Sequence, residues 1–214
     1  MKNSIKAISA SMLAAAMIAP TAQAEISANV ALTTDYVWRG ISQNQEDPAL
    51  QGGFDFSHES GFYAGVWAAN VNFGGASTEL DVYGGWAKEF ESGFGVDVGI
   101  IEYTYHGSEI ADDNNFTEAY VGVSYAGFGL TYYAGDEFDD NIEISYGYDF
   151  EGPGLSIGAT YGDYDSYSYY QLGLSGSFGG KSDIGWDVSY WDTTDIDDLE
   201  IADGRVVLTI SKEF

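Results

Sequence analysis

The stretch Ile142-Glu143-Ile144-Ser145-Tyr146-Gly147-Tyr148-Asp149-Phe150 decides the fold. Ile142, Ile144, Tyr146, Tyr148 and Phe150 alternate with Glu143, Ser145, Gly147 and Asp149. A period of two, not 3.6, puts the two sets on opposite faces of an extended chain. The same alternation recurs at Leu155/Ile157/Ala159/Tyr161, Tyr170/Leu172/Leu174/Gly176/Phe178, Ile184/Trp186/Val188/Tyr190 and Val206/Leu208/Ile210. Twelve strand segments are expected, at 26–39, 49–58, 62–71, 78–90, 94–105, 116–125, 128–135, 141–150, 154–162, 168–178, 183–191 and 204–214. Segments 62–71 and 94–105 lack a clean parity, and Ile100-Ile101 is the expected place for a bulge.

The connections fall into two kinds. Glu-Ser-Gly-Phe occurs at 59–62 and again at 91–94, each time between two segments, and short Gly-rich turns also stand at 126–127, 151–153 and 179–182. The alternate connections are mostly longer and acidic: 40–48, 72–78, 106–115, 136–140, 163–167 and 192–203. Short turns at one end and long loops at the other, joining strands that alternate apolar and polar residues, describe a transmembrane β-barrel. The expected fold is all-β: an antiparallel barrel of about twelve strands with short periplasmic turns and longer acidic extracellular loops. Beyond residue 24 no run of 18 apolar residues exists, so a membrane would have to be crossed by strands.

Residues 1–24 carry Lys2 and Lys6, an apolar run from Ala7 to Ala19, and small residues at Ala22 and Ala24, the pattern of a cleaved secretory signal peptide. The mature domain is then expected at 25–214, exported to the outer membrane of a Gram-negative bacterium. The chain has no cysteine, so an exported domain must rely on its sheet rather than on disulfides. All 34 acidic residues follow residue 24, against five basic ones, Arg39, Lys88, Lys181, Arg205 and Lys212. That balance excludes nucleic acid as a partner.

The aromatic residues sort by end. Phe56, Phe62, Phe90, Phe94, Phe128, Phe150, Phe178 and Phe214 lie beside the short turns, and Trp38, Tyr103, Tyr105, Tyr133, Tyr161, Tyr190 and Trp191 lie near the long loops. Two interfacial girdles are the expectation. Phe214 closes an alternating run (Val206, Leu208, Ile210), the form in which such barrels present a C-terminus to the barrel-assembly machinery; Lys212 breaks the run.

"DYVWRGISQ" at 35–43, followed by "DPALQGGFDFSHESGFYAGVWAANV" at 47–71, resembles the TorF-type porin family of Gram-negative bacteria, most closely over 35–71 and more loosely over the rest. The resemblance implies an outer-membrane barrel with a porin role. It assigns no function to the matching residues Asp35, Tyr36, Trp38, Arg39, Gly40, Ser42 and Gln43.

Other chemistries have little support in the sequence. The two histidines are His58, beside a short turn, and His106, at a loop with Ser108, Asp112 and Asp113, which reads as polar loop content rather than an acid–base set. The acidic stretch 192–204 lacks the ligand spacing and central glycine of an EF-hand. It reads as a solvated loop sharing divalent cations with lipopolysaccharide phosphates, and no cofactor or dedicated metal site is expected. Twelve strands leave room for a lumen, which favours passive diffusion of small cationic or dipolar solutes over a structural or adhesion barrel, and both over an enzyme. The expected pore-lining residues are Asp35, Arg39, Glu79, Asp81, Glu118, Glu143, Asp187 and Arg205. Arg39 and Arg205 would top the first and last strands, which must pair, so that two cations share one wall opposite Glu79, Asp81, Glu118 and Glu143. The simpler alternative pairs Arg39 with Asp35.

Overall fold

The computed structural model describes residues 24–136, 139–151, 154–164, 166–178, 184–194, 196 and 199–214. The expected leader through residue 23, the turn at 179–182 and parts of the loops at 136–140, 151–153, 163–167 and 192–203 lie outside them. Twelve strands form the wall: β1 (Glu25–Thr33), β4 (Ala49–Ser57), β5 (Phe62–Phe73), β6 (Ala76–Glu89), β7 (Phe94–Gly107), β8 (Phe116–Tyr125), β9 (Phe128–Gly135), β10 (Asn141–Asp149), β11 (Leu155–Tyr164), β12 (Ser168–Ser177), β13 (Ile184–Thr194) and β14 (Arg205–Glu213). Two further strands, β2 (Val37–Trp38) and β3 (Ile41–Ser42), pair only with each other. Every wall strand pairs antiparallel with its neighbours, and β1 with β14 closes the barrel.

The repeated tetrapeptide makes one turn twice. The His58 N–H donates to Phe62 O (2.9 Å) and Gly61 N–H to His58 O (2.8 Å); Phe90 N–H to Phe94 O (2.8 Å) and Gly93 N–H to Phe90 O (2.8 Å) repeat the pattern. Glu25 opposite Ser57 and Asn29 opposite Glu213 put both ends of the wall at this short-turn end.

The side chains are arranged inside out relative to a water-soluble barrel. Ile26, Leu50, Phe54, Ile144, Leu172 and Leu208 are half or more exposed on the outer face, while Glu79, Asp81, Glu118, Asn141 and Gln171 are buried within. Such an outer belt suits hydrocarbon, and the fold is that of a membrane β-barrel. All eight phenylalanines at the short-turn end point outward. Lys212 joins them by laying its ammonium 5.0 Å from the Phe214 ring centre, so its apolar stem stays on the outer face.

Three expectations fail. Ile100 and Ile101 form no bulge, because the pairing of β7 runs through them unshifted; Ile100 points out and Ile101 is buried inside. The register shifts fall instead between Asn70 and Phe73 and between Ala76 and Thr78. The long-loop girdle is only partly outside: Tyr161 and Tyr190 are exposed, but Tyr103, Tyr105, Tyr133 and Trp191 are buried inside. The first segment also ends early, at Thr33 rather than 39.

Candidate functional site: the inner hairpin and its seats

The chain turns inward where the first strand was expected to continue. Thr34 marks the departure: its N–H donates to Leu208 O (2.9 Å), and its Oγ1 accepts from the Leu208 N–H (3.0 Å). The hairpin β2–β3 then enters the lumen, with Arg39 and Gly40 as its tip at φ 48° and 87°. A two-residue turn with both residues at positive φ matches the twist of a hairpin, and glycine is the residue for the second position. Gly40 is fixed a second way: an added Cβ would come within 2.9 Å of the Tyr169 Cβ and would also press on Thr193.

Below the tip the loop is tied to itself and to the rim. Ser42 Oγ donates to Asp35 Oδ1 (2.7 Å) and accepts from the Glu46 N–H (2.9 Å). The Asn72 N–H donates to Gln43 O (2.8 Å), joining the loop to β5. Arg205 on β14 reaches Asp35 Oδ2 at 3.1 Å and Glu46 Oε1 at 3.3 Å. Burial pushes the Asp35 carboxyl up from its ordinary range, against the Ser42 and Arg205 hydrogen bonds that pull it down.

Two seats on the wall receive the hairpin. Arg39 takes Glu118 of β8 in a bidentate pair, Nη1–Oε1 2.6 Å and Nη2–Oε2 2.8 Å. Its guanidinium also donates to the Tyr164 hydroxyl and lies 4.5 Å from the ring centres of both Trp38 and Tyr133. Tyr103 adds a donor to Glu118 Oε2 (3.2 Å), and Tyr167 donates to Arg39 O (3.2 Å). Planar stacking with a forked carboxylate contact is chemistry that arginine performs and lysine does not.

The second seat is on β6. Tyr36 donates to Glu79 Oε1 (3.0 Å) and packs edge-on to Trp67 at 5.4 Å. Burial, then the charges of Glu79 and Asp81, push the Tyr36 phenol well above its ordinary range, so it stays a donor. Glu79 Oε2 and both oxygens of Asp81 are buried with no hydrogen-bond partner among the described residues.

Of the expected pore-lining residues, Glu79, Asp81, Glu118 and Asp187 face inward and are buried, as are Asp35 and Arg39 in the inner loop. Glu143 accepts from Tyr169 at 2.9 Å. The arginines are not neighbours on one wall: Arg39 crosses to Glu118, whereas Arg205 stays at the rim with Asp35 and Glu46. Nor does Arg39 pair with Asp35. The cause is the inward turn at Thr34, which removes Arg39 from the first strand. His58 lies against Ser60 Oγ (2.6 Å) at the short-turn end and His106 against Thr104 Oγ1 (3.2 Å) at the other. Among the described residues no group of three or more His, Cys, Asp or Glu converges.

The sequence reading missed the aromatic lining, Tyr133, Tyr164, Tyr167 and Tyr169. For the hairpin that brings Arg39 to them the sequence holds only a weak signal: glycine suits the second turn position, but arginine does not favour the first.

A family described as bacterial protein of unknown function, Gcw_chp, matches residues 17–208. No curated protein matches the chain. Among solved structures, the KdgM porin superposes with a TM-score of 0.62 at 11% identity, over 88% of this chain and 98% of that one. The KdgM porin in complex with disordered oligogalacturonate gives 0.60 at 11% identity, over 88% and 97%. A membrane protein from a study of in-meso crystallization gives 0.55 at 9% identity, over 88% and 83%. The shared property is the fold.

Proposed function

We propose that this chain, which belongs to the Gcw_chp family of bacterial proteins, is an outer-membrane channel of porin type for small cationic or dipolar solutes, narrowed by its own first loop. The observation that carries the reading is a closed twelve-strand barrel, apolar outside, whose charged interior holds an inserted hairpin. The TorF-type likeness of residues 35–71 fits it, since that motif is the inserted loop together with the strands that follow. Mature protein from residue 25, long loops outward, acidic loops sharing divalent cations with lipopolysaccharide, and Phe214 read by the assembly machinery complete the proposal.

Cation preference follows from the charges in the interior. Asp35, Asp55, Glu79, Asp81, Asp97, Glu118, Glu143 and Asp187 stand against Arg39 and Arg205, and a low-dielectric wall focuses the field of that excess. Oligogalacturonate, the polyanion in the complex of the KdgM porin, is unsuited to such a lumen.

A second reading, a structural or adhesion barrel without an open pore, draws on the hairpin itself, which touches the wall from β5 to β13. Planar-bilayer recordings separate the two. Under a salt gradient the parent protein should conduct with a cation-selective reversal potential. Replacing residues 36–42 by a short Gly-Ser link should raise the conductance severalfold. Anion selectivity would reject the charge model. Silence in both proteins would leave the structural barrel.

A further inference from the structure

The structure treats two sets of buried carboxylates differently. Glu118 is neutralised by Arg39 and receives a donor from Tyr103. Glu79 and Asp81, 1% and 0% exposed, have no salt bridge among the described residues. They are i and i+2 on the inner face of β6. Trp67 and Tyr103 flank Asp81 across the sheet, and Ala69 and Tyr105 flank Glu79. Tyr36 closes the site from the hairpin side.

Removing a carboxylate from water costs several kcal/mol unless a charge or a set of donors replaces the water. Here Tyr36 satisfies Glu79 Oε1, and Glu79 Oε2, Asp81 Oδ1 and Asp81 Oδ2 remain orphaned. One proton shared between the two groups would engage two of those three oxygens and leave a net negative charge, and a second proton would cancel that charge only by holding both acids neutral at neutral pH, far from the ordinary range of a carboxyl. A divalent cation would engage all three and cancel both charges. Carboxylate and hydroxyl oxygens are the donor type of a hard cation such as Ca2+ or Mg2+.

We infer that Glu79 and Asp81 hold a divalent cation of the calcium or magnesium class behind the inner hairpin, with the Tyr36 and Tyr105 hydroxyls beside it. Because Tyr36 and the cation share Glu79, a bound cation also strengthens the seat of the hairpin. The site is distinct from the acidic loops, which stand exposed to solvent, as at Asp112 and Asp113.

Terbium luminescence tests the inference on the folded full-length barrel in detergent at neutral pH, because Tyr36 and Tyr105 are natural sensitisers for Tb3+ held at this pair. The parent protein should show saturable sensitised emission from one site per chain, and Ca2+ should displace it. Glu79→Gln with Asp81→Asn, close in shape to the originals, should reduce the emission at least tenfold. Asp112→Asn with Asp113→Asn in an exposed loop should leave it intact. Folding of each variant is checked by heat-modifiable migration, and Asp81→Asn alone replaces the double variant if that one does not fold. Absence of saturable emission in the parent, or its survival in the folded Glu79/Asp81 variants, would overturn the site. The readout is binding, so a silent bilayer recording would reject the channel proposal without touching this one.

Discussion

The two seats of the hairpin are built from similar parts and balanced differently. On the β8 side a buried glutamate meets a buried arginine in a forked contact roofed by aromatic rings. On the β6 side a buried glutamate and aspartate meet one phenol and no cation among the described residues. The first seat is complete within the protein; the second is completed from outside. A hairpin held by one autonomous contact and one solvent-dependent contact can be loosened on one side at a time.

The largest expected effect breaks the complete seat. Arg39→Ala leaves Glu118 buried and unpaired and should cost about 3–5 kcal/mol of hairpin docking. Hydrogen exchange over residues 36–42 should rise sharply while the wall strands stay protected. If Arg39→Met with Glu118→Leu is docked as well as the parent, the pair contributes specificity rather than net stability.

The next contrast sets the outer face against the inner. Ile144→Arg places a charge in the lipid belt and should cost about 2–4 kcal/mol of barrel stability, whereas Ser145→Arg, one residue along and facing the lumen, should be tolerated. Yields of heat-modifiable barrel compare them directly. Equal yields would contradict the inside-out assignment of β10.

Gly40→Val tests the tip that both seats depend on. Positive φ and the approach to Tyr169 and Thr193 should cost about 1–3 kcal/mol, raising exchange at both seats together. A rise at the β8 seat alone would show that the two seats respond independently. An effect of similar size belongs to Tyr36→Phe, which removes one donor from Glu79 and should cost about 1.5–3 kcal/mol in the absence of added divalent cation. With Ca2+ present the loss should grow, because the cation strengthens the seat that Tyr36 makes on Glu79. An unchanged loss would separate Tyr36 from the cation.

Much of the wall was legible because strand alternation is a local signal: Ile142 to Phe150 states its own period, and Glu-Ser-Gly-Phe states its own turn. The interior was less legible, since an aromatic side chain near a strand end suits the interfacial girdle as well as the lumen. Tyr103 and Tyr105 share the parity of the inward Asp97, and Tyr133 that of Thr131, so their burial inside could have been read from the pattern. The end of the first strand at Thr33 carries no such mark. Val-Trp and Ile-Ser fit a strand equally well, and only long-range contacts, Thr34 with Leu208 and Arg39 with Glu118, draw the chain inward. The Glu79/Asp81 pair was visible as two inward acids, but whether a partner reaches them is a tertiary fact.

The closing seam constrains how such a molecule can be made. Thr33 Oγ1 accepts from Thr209 Oγ1 (3.0 Å), Leu208 bonds Thr34, and Arg205 bonds Asp35, so the segment that enters the lumen begins where the first strand meets the last. Contacts between residues so far apart in the chain form late and slowly. The final zipping of the wall and the entry of the hairpin are therefore coupled, because the contacts that join β1 to β14 also fix the point at which the chain leaves the wall.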